Sequence, residues 1–305
     1  MATETDTRKT VLITGCAAGG IGHSLALSFH KRGFRVFATA RSLQQLTALA
    51  EQGIETLVLV VDDDESILKM VKTIENLTGG RGLDFLVNNA GVNYTMPALD
   101  INLSEAQKVF NINVFAVMRL CQVFAPQLIQ AQGTIVMIGS IAGVMPYVFG
   151  SVYNASKAAL HAYSNTLRVE LAPFNVKVIN IVTGGVKSRL PYHVERYLPS
   201  TSVYGPLEKN YMRRQTHSQE GAMTNESYAE SVVAQIVPGA GPWPWRWLMR
   251  DARRRWIWEG NMSWVVYYVS GSFTWSGIFD WYMTMLFKLS SLAKNKEKKK
   301  NSGGS

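Results

Sequence analysis

Cysteine, histidine and acidic residues are scarce in this chain of 305 residues. The two cysteines, Cys16 and Cys121, are too few and too far apart for a disulfide framework or a zinc site. The first seven residues have neither the basic start nor the apolar core of a signal peptide. The sequence therefore predicts no metal site, a flexible N-terminal arm over residues 1–8, and a globular body that faces the cytosol.

The excess of basic over acidic residues lies mostly at one end of the chain. The net charge is +9 overall, and residues 243–305 alone hold eleven Lys or Arg against four Asp or Glu. The same end contains all eight tryptophans. The chain therefore has two regions of different physical character, and its hydrophobic content of 47% is enough for a large core in the first.

Short apolar, β-branched runs alternate with helical patterns before residue 190. The candidate strands are KTVLITG, FRVFATA, IETLVLVV, LDFLVNN, GTIVMIGS and VKVINIVT. This rhythm predicts an α/β fold, a doubly wound parallel sheet with helices on both faces, to which RRRWIWEG adds a seventh strand. We assign residues 9–260 to this domain. The prolines and polar residues after Leu190 predict a substrate lid at about 190–240.

A glycine-rich turn, TGCAAGGIG at residues 14–22, connects the first strand to the first helix. In that context the backbone N–H groups and the helix dipole form a cradle for a phosphate group. Glycines in such a turn also occur for purely conformational reasons. The residues predicted to contact a cofactor here are Gly15, Gly19, Gly20, Ile21 and Gly22.

Four further motifs follow the turn in order: NNAG at residues 88–91, Asn113 in NINVF, Ser140 in MIGS, and Tyr153 four residues before Lys157. From about residue 9 to residue 190, this ordered set resembles the short-chain dehydrogenase/reductase family. The stretch TGGVKS at residues 183–188 and the aromatic C-terminal end resemble its fungal 1-acyldihydroxyacetone-phosphate reductase-like branch.

The resemblance implies a Rossmann-type fold and a nicotinamide cofactor. Beyond the glycine turn, the expected cofactor contacts are Arg41, Asp62, Asn89, Ala90, Gly91, Tyr153, Lys157, Val186 and Ser188. The chain departs from the family in a turn one residue longer, in Thr183 for a common proline, and in Val60 for an aspartate near the adenine. Asp62 is the candidate substitute for that aspartate.

Tyr153 and Lys157 are four residues apart, so a helix places them on one face. We expect the charge of Lys157 to lower the pKa of Tyr153 from its ordinary value of about 10, which makes Tyr153 a proton donor to a carbonyl or a base in reverse. Ser140 would hold the carbonyl oxygen, or cap a strand end. The resemblance implies that Lys157 binds the ribose and that Asn113 holds a relay water, although Asn113 could be a locally satisfied amide. We interpret His161 as a packing residue.

The second strand ends in FATARS, which contains no acid. An acid there would accept hydrogen bonds from the adenosine ribose, whereas Arg41 can pair with a 2′-phosphate. The sequence therefore favours NADPH (NADP) over NADH, with Arg41 as the start of a solvated helix as the alternative.

The aromatic, basic end has no charged residue from 261 to 279. That is close to the length of a membrane span, but serines, glycines and Asp280 favour a segment that lies in the membrane interface. We predict a membrane-interface or hydrophobic extension over residues 261–293 and a basic flexible tail over 294–305. The alternative is that the aromatics line a substrate pocket or a dimer interface. No recognition module for nucleic acid is visible.

We interpret the chain as an NADPH-dependent carbonyl reductase bound peripherally to the cytosolic face of the endoplasmic reticulum or lipid droplets. Its substrate would be a lipophilic ketone, and the resemblance implies an acyl-dihydroxyacetone-phosphate-like lipid. One alternative substrate is a ketone or alcohol intermediate of a fungal secondary metabolite, a terpenoid or polyketide. A different interpretation of the whole chain is a non-catalytic NADPH-binding membrane protein. The presence of the complete set Asn113, Ser140, Tyr153 and Lys157 disfavours it.

Phosphate recognition and assembly are two further expectations. Lys187, Arg189 and Arg196 near the substrate loop could bind a substrate phosphate or lie in solvent. The resemblance allows a homodimer, since the family often associates through helices.

Overall fold

The computed structural model describes residues 6–189, 196–237 and 255–270. Within them, seven strands form one sheet of order β3-β2-β1-β4-β5-β6-β7, and all neighbours are parallel. The strands are β1 (Thr10–Ile13), β2 (Arg35–Ala40), β3 (Glu55–Val58), β4 (Phe85–Asn88), β5 (Thr134–Ile138), β6 (Lys177–Thr183) and β7 (Trp256–Glu259). The predicted Rossmann-type parallel sheet is confirmed, including the strand in RRRWIWEG.

Nine α-helices lie in the same residues: α1 (Ile21–Lys31), α2 (Thr47–Ala50), α3 (Asp64–Thr78), α4 (Leu103–Phe110), α5 (Ala116–Ala131), α6 (Ser151–Leu171), α7 (Glu208–Thr216), α8 (Asn225–Ile236) and α9 (Ser263–Ser270). A π-helical turn, Asn111–Phe115, joins α4 to α5. The caps follow local chemistry, since the side chain of Asn102 accepts hydrogen bonds from the first N–H groups of α4.

The core has two parts, one on each face of the sheet. Successive side chains of a strand point to opposite faces, so Val11 and Ile13 of β1 pack with Phe29 of α1, whereas Leu12 packs on the other side with Phe124 of α5. All five side chains are fully buried. Helices therefore cover both faces and leave the strand ends to form the site.

The range predicted for the substrate lid divides into two structural parts. Residues 225–236 form α8, whose Tyr228, Val232 and Val233 are fully buried against the sheet core, so this part is core rather than lid. Its apolar residues recur at helical spacing, which fits a face buried against the sheet. In α7, Tyr211 is buried and donates a hydrogen bond of 3.1 Å to the carbonyl of Thr95.

Most of the predicted interface extension over 261–293, and all of the tail over 294–305, lie outside the described residues. Within α9 and the residue before it, Met262, Trp264 and Val265 are more than half exposed, while Val266 packs inward on Trp258. Among the described residues, one helical run, Leu103–Ala131, is long and apolar enough to cross a membrane. Half of it is buried, and its residues pack against the sheet and α6, as in a core helix.

Candidate active site

The predicted site residues gather at the carboxyl ends of the strands. The glycine turn follows β1, NNAG closes β4, Ser140 follows β5, and Val186 follows β6. The order of the strands reverses between β1 and β4, and ligands of open α/β sheets bind at such a switch point. The topology therefore brings motifs that are far apart in sequence to one edge of the sheet.

The glycine turn is shaped to let a ligand approach the backbone. Gly15 and Gly19 have φ angles of 74° and 75°, which favour glycine. A Cβ atom on Gly22 would collide with the Asn89 amide, and that amide donates hydrogen bonds of 2.7 and 2.9 Å to the carbonyls of Thr14 and Gly15. The Asn89 side chain therefore stabilises the conformation of the turn.

Helix α1 begins after Gly20 with no side-chain cap. Its first N–H groups therefore have no side-chain acceptor, and they form the positive end of the helix dipole. The Arg189 side chain lies against the turn, because its Nε would be 3.1 Å from a Cβ atom on Gly19. An uncapped helix, an open glycine turn and a nearby guanidinium fit the diphosphate of a dinucleotide.

The adenosine end of the cleft carries one available cation. Arg41 is exposed directly after β2, and no acidic side chain in residues 6–189, 196–237 or 255–270 pairs with it. Asp62 is exposed in the turn between β3 and α3, while the N–H of Val60 donates to the Ser66 hydroxyl over 3.0 Å. The placement of Arg41 fits a 2′-phosphate, and the contact of Asp62 with adenine stays a prediction.

Helix α6 places Tyr153 and Lys157 on one face, beside the end of β5. The ammonium of Lys157 donates a hydrogen bond of 2.8 Å to the carbonyl of Ile138 and lies 5.8 Å from the centre of the Tyr153 ring. The Ser140 hydroxyl lies near enough to Tyr153 to oppose the rise that burial imposes on the pKa of Tyr153. Tyr153 and Ser140 can therefore contact the same carbonyl oxygen.

The expected lowering of the Tyr153 pKa by Lys157 is wrong for this structure. Burial raises the pKa of Tyr153, and the influences that oppose the rise are the hydrogen bond to Ser140 and the charge of Arg214. Burial also lowers the pKa of Lys157 to about 8, so Lys157 holds its proton less firmly than a solvated lysine. The cation acting on Tyr153 comes from α7, which no local pattern around Tyr153 indicates.

Asn113 lies in the π-helical turn and is fully buried. Its amide donates to the Val92 carbonyl and to the Ser156 hydroxyl, both over 3.0 Å, and its Oδ1 accepts from the Val92 N–H over 2.9 Å. Gly91 lies beside it, since an added Cβ atom would be 3.2 Å from Oδ1 and 3.8 Å from the Lys157 ammonium. Single π turns occur often at functional sites, and the relay water remains a prediction.

His161, which the sequence analysis interprets as a packing residue, is buried and packs against Trp256, and it also contacts the backbone of Ser140. Its Nε2 accepts a hydrogen bond of 3.2 Å from the backbone N–H of Ser140, and its ring contacts Trp256 at 5.0 Å. Burial and the charge of Lys157 lower the pKa of His161 to about 3, so the ring is neutral. The available signal was the continued four-residue spacing from Tyr153 through Lys157 to His161.

Ser140 also has the capping role considered for it. Its hydroxyl accepts a hydrogen bond of 3.1 Å from the Ala142 N–H, at the start of a short 3₁₀ turn. A hydroxyl can accept this bond and still donate one. The cap therefore orients the Ser140 hydroxyl without removing its proton from the cleft.

The loop after β6 is held by Gln219. Its side chain accepts from the Ser188 N–H over 2.9 Å and donates to the Val186 carbonyl over 3.3 Å. Val186 is buried and Ser188 is half-buried. This arrangement gives both residues a defined position at the cleft, and their contact with the cofactor stays a prediction.

The three basic residues considered for a substrate phosphate do not form one cluster. The Arg196 guanidinium lies 4.6 Å from the centre of the Tyr94 ring and 3.8 Å from a Glu105 carboxylate oxygen, whereas Arg189 lies at the glycine turn. Lys187 is exposed. Arg189 therefore faces the dinucleotide part of the cleft, and Arg196 is already paired.

Comparison with known proteins gives a consistent family match. The sequence model of the short chain dehydrogenase family matches residues 9–196. The short-chain dehydrogenase virD of Hypocrea virens is 41% identical, over 92% of this chain and 93% of the relative. The NADPH-dependent 1-acyldihydroxyacetone phosphate reductase of Schizosaccharomyces pombe is also 41% identical, over 85% of this chain and 88% of the relative.

A similar fold occurs among solved structures. A short-chain dehydrogenase from Streptomyces avermitilis superposes with a TM-score of 0.69 at 23% identity, over 95% of this chain and 98% of that one. The likeness therefore covers nearly the whole length of both chains and concerns the fold.

Proposed function

The chain belongs to the short-chain dehydrogenase/reductase family and is an oxidoreductase that uses a nicotinamide cofactor, and from this premise we propose that it is an NADPH-dependent carbonyl reductase of a lipophilic ketone. The observation that carries the proposal is the placement of Tyr153, Ser140 and Lys157 at the carboxyl end of β5. Two hydroxyl groups lie near each other there, which suits a carbonyl oxygen that gains negative charge.

The residues have separate tasks in this mechanism. Ser140 donates a hydrogen bond to the carbonyl oxygen and orients it, while Tyr153 transfers its proton to that oxygen as the alcohol forms. Lys157 would hold the cofactor ribose, and Asn113 fixes the backbone near Val92 beside it. The cofactor, when bound, supplies a hydride to the carbonyl carbon.

NADPH as the preferred cofactor is supported by Arg41. An exposed guanidinium at the end of β2 attracts a 2′-phosphate, and no acid replaces it there. The yeast relative's name also includes NADPH dependence.

Two substrate classes follow from the relatives. An acyl-dihydroxyacetone-phosphate-like lipid is supported by the named activity of the Schizosaccharomyces pombe relative. The Hypocrea virens relative has the same identity of 41%, and its name gives no substrate. An unphosphorylated ketone or alcohol of fungal secondary metabolism is therefore kept as the second candidate. The two candidates differ in charge, which an assay can separate.

The cellular place and assembly are part of the proposal. Met262, Trp264 and Val265 are exposed at the start of the aromatic end, and such residues favour a membrane interface. This supports peripheral binding to the cytosolic face of the endoplasmic reticulum or lipid droplets. Phe115 is 50% exposed where the π turn meets α5, which supports a homodimer through this face.

The deciding experiment is NADPH oxidation by detergent-solubilised protein with acyl-dihydroxyacetone phosphate, long-chain ketones and cyclic terpenoid ketones. Turnover of the phosphorylated lipid supports the first substrate class, and turnover only of a polycyclic ketone supports the second. No oxidation with any ketone would contradict the carbonyl reductase.

Membrane binding is tested by flotation with vesicles of anionic phospholipid. Truncation after residue 270 keeps β7 and α9, so loss of flotation reports the segment beyond them. Unchanged flotation both in this truncation and in a Trp264→Ser variant of it would contradict the role proposed for the C-terminal end.

A further inference from the structure

Arg214, on the last turn of α7, reaches over the start of α6. Its guanidinium carbon lies 3.2 Å from the centre of the Tyr147 ring, and its Nε donates a hydrogen bond of 2.9 Å to the Val148 carbonyl. A Cβ atom on Gly150 would be 3.1 Å from its Nη2. The guanidinium plane is therefore held in place on the approach to the helix that carries Tyr153.

The charge of Arg214 has no carboxylate partner in the part of the chain that the structure describes. The neighbouring Arg213 forms a bidentate ion pair with Glu220, with N–O distances of 2.9 and 3.2 Å. Two arginines in adjacent positions thus have different tasks: Arg213 is neutralised at the surface, and half-buried Arg214 retains its charge.

Two polar side chains lie beside Arg214. The Tyr147 hydroxyl lies 2.8 Å from Nδ1 of His217, so these two side chains form a hydrogen-bonded pair beside the guanidinium. A half-buried arginine with free N–H groups is a strong binder of phosphate and carboxylate, since its planar fork matches both. A cation that is partly removed from water also gains more from an anion than a solvated cation does.

Arg214 Nη2 lies beside Gly150, where an added Cβ atom would be 3.1 Å from it, and Gly150 is three residues before Tyr153 at the start of α6. The charge of Arg214 also opposes the rise that burial imposes on the pKa of Tyr153. An anion bound to this guanidinium would therefore lie near the carbonyl that Tyr153 protonates. A ketone with a phosphate or carboxylate only a few bonds from its carbonyl carbon has this geometry. Arg189 faces the glycine turn and Arg196 is paired with Glu105, so neither takes this place.

We propose that Arg214 is the substrate's anion site, binding a phosphate or carboxylate group that the ketone carries beside its reacting carbonyl. This inference rests on the proposed reductase function and selects, within it, an anionic substrate. The specificity then comes from α7 in the substrate-binding part of the chain, while the chemistry comes from α6 and β5.

The test compares a charged ketone with its neutral counterpart. Hexanoyl-dihydroxyacetone phosphate and hexanoyl-dihydroxyacetone are reduced with NADPH by the wild type and by Arg214→Gln, Arg214→Lys and Arg213→Gln. The selectivity is the ratio of kcat/KM for the charged over the neutral ketone. A change in Tyr153 or in folding affects both ketones alike and cancels in this ratio.

We expect Arg214→Gln to lower the ratio by about tenfold or more through KM for the charged ketone. Arg214→Lys keeps a charge without the planar fork, so it should retain part of the preference. Arg213→Gln removes the same charge from the same helix and should leave the ratio unchanged. A wild type with no preference, or an Arg214→Gln ratio equal to that of the wild type, overturns the proposal.

A carboxylate analogue, a 2-keto acid of similar chain length with its methyl ester as control, shows which anion is preferred. If Arg214→Gln does not fold, the fall in the ratio for Arg214→Lys decides the matter. If the wild type reduces no ketone, the reductase function fails, and calorimetric binding of hexanoyl-glycerol phosphate against hexanoylglycerol tests the anion site by itself. Phosphate-dependent binding that Arg214→Gln abolishes then supports the site, and its absence in the wild type overturns it.

Discussion

The imidazole of His161 accepts a hydrogen bond from the backbone N–H of Ser140 over 3.2 Å, in the buried region behind the reacting hydroxyl groups. His161 also packs edge-on against Trp256 of β7. The last strand of the sheet is thereby connected to the position of Ser140. We therefore predict that His161 is a positioning residue, which would act on the substrate through Ser140.

Replacing His161 with leucine should leave the Ser140 N–H without an acceptor. A buried unpaired donor costs about 1–3 kcal/mol, so the free energy of unfolding should fall by that amount in urea titrations. We expect kcat to fall as well, with the KM for NADPH close to that of the wild type. His161→Gln supplies another acceptor and should recover part of both losses. Equal behaviour of the two variants would contradict the positioning role.

The buried, neutral His161 should also make stability depend on pH. Its pKa falls from 6.5 to about 3 on folding, so the unfolded chain binds more protons between these values. The contribution of neutral His161 to the free energy of unfolding is therefore fully present above pH 6.5. It decreases as the pH falls, by about 1.4 kcal/mol per pH unit for this one group. In urea titrations between pH 6 and 4, the free energy of unfolding should fall less steeply with decreasing pH for His161→Gln than for the wild type. Parallel slopes would show that His161 does not contribute.

Tyr153→Phe removes the proton donor and keeps the ring. General acid catalysis is worth about 10²–10⁴-fold, so kcat should fall by that factor while the Kd for NADPH, measured by fluorescence titration, changes little. Tyr163→Phe alters another hydroxyl group on α6 and serves as the matched control. Preserved turnover in Tyr153→Phe would contradict the assigned mechanism.

Arg214→Gln should move the pH profile of alcohol oxidation. The charge of Arg214 opposes the rise that burial imposes on the pKa of Tyr153, so its removal should raise that pKa further. Oxidation needs the deprotonated tyrosine as a base, and the rising limb of kcat/KM should therefore shift to higher pH. Arg213→Gln should leave the limb in place, because Arg213 is paired with Glu220. A limb that does not shift in Arg214→Gln would contradict this electrostatic link.

Arg41→Ala should weaken the binding of NADPH much more than the binding of NADH. A charge-assisted contact to the 2′-phosphate is worth about tenfold or more in affinity, and NADH has no such phosphate. The KM values for the two cofactors in the same variant are the measurement, and NADH is the internal control. An equal rise for both cofactors would rule out phosphate pairing by Arg41.

Local patterns account for much of the fold. Short apolar, β-branched runs predicted the strands, and the structure confirms seven of them in one parallel sheet. The glycine turn and the pair Tyr153 and Lys157 could also be placed, because turns and helical spacing depend on neighbouring residues. The lid range was less accurate, since α8 is buried only through its packing on α1 and the sheet.

Tertiary structure decided which charges lie near the site residues and which side chains hold those residues in position. The sequence by itself determined which chemical groups are present and that Tyr153 and Lys157 share a helix face. Only the folded chain brings Arg214 of α7 near Tyr153 and turns His161 towards Ser140. The reason is physical: helical and strand periods report which face of an element is apolar, but burial and charge proximity depend on how distant elements pack together.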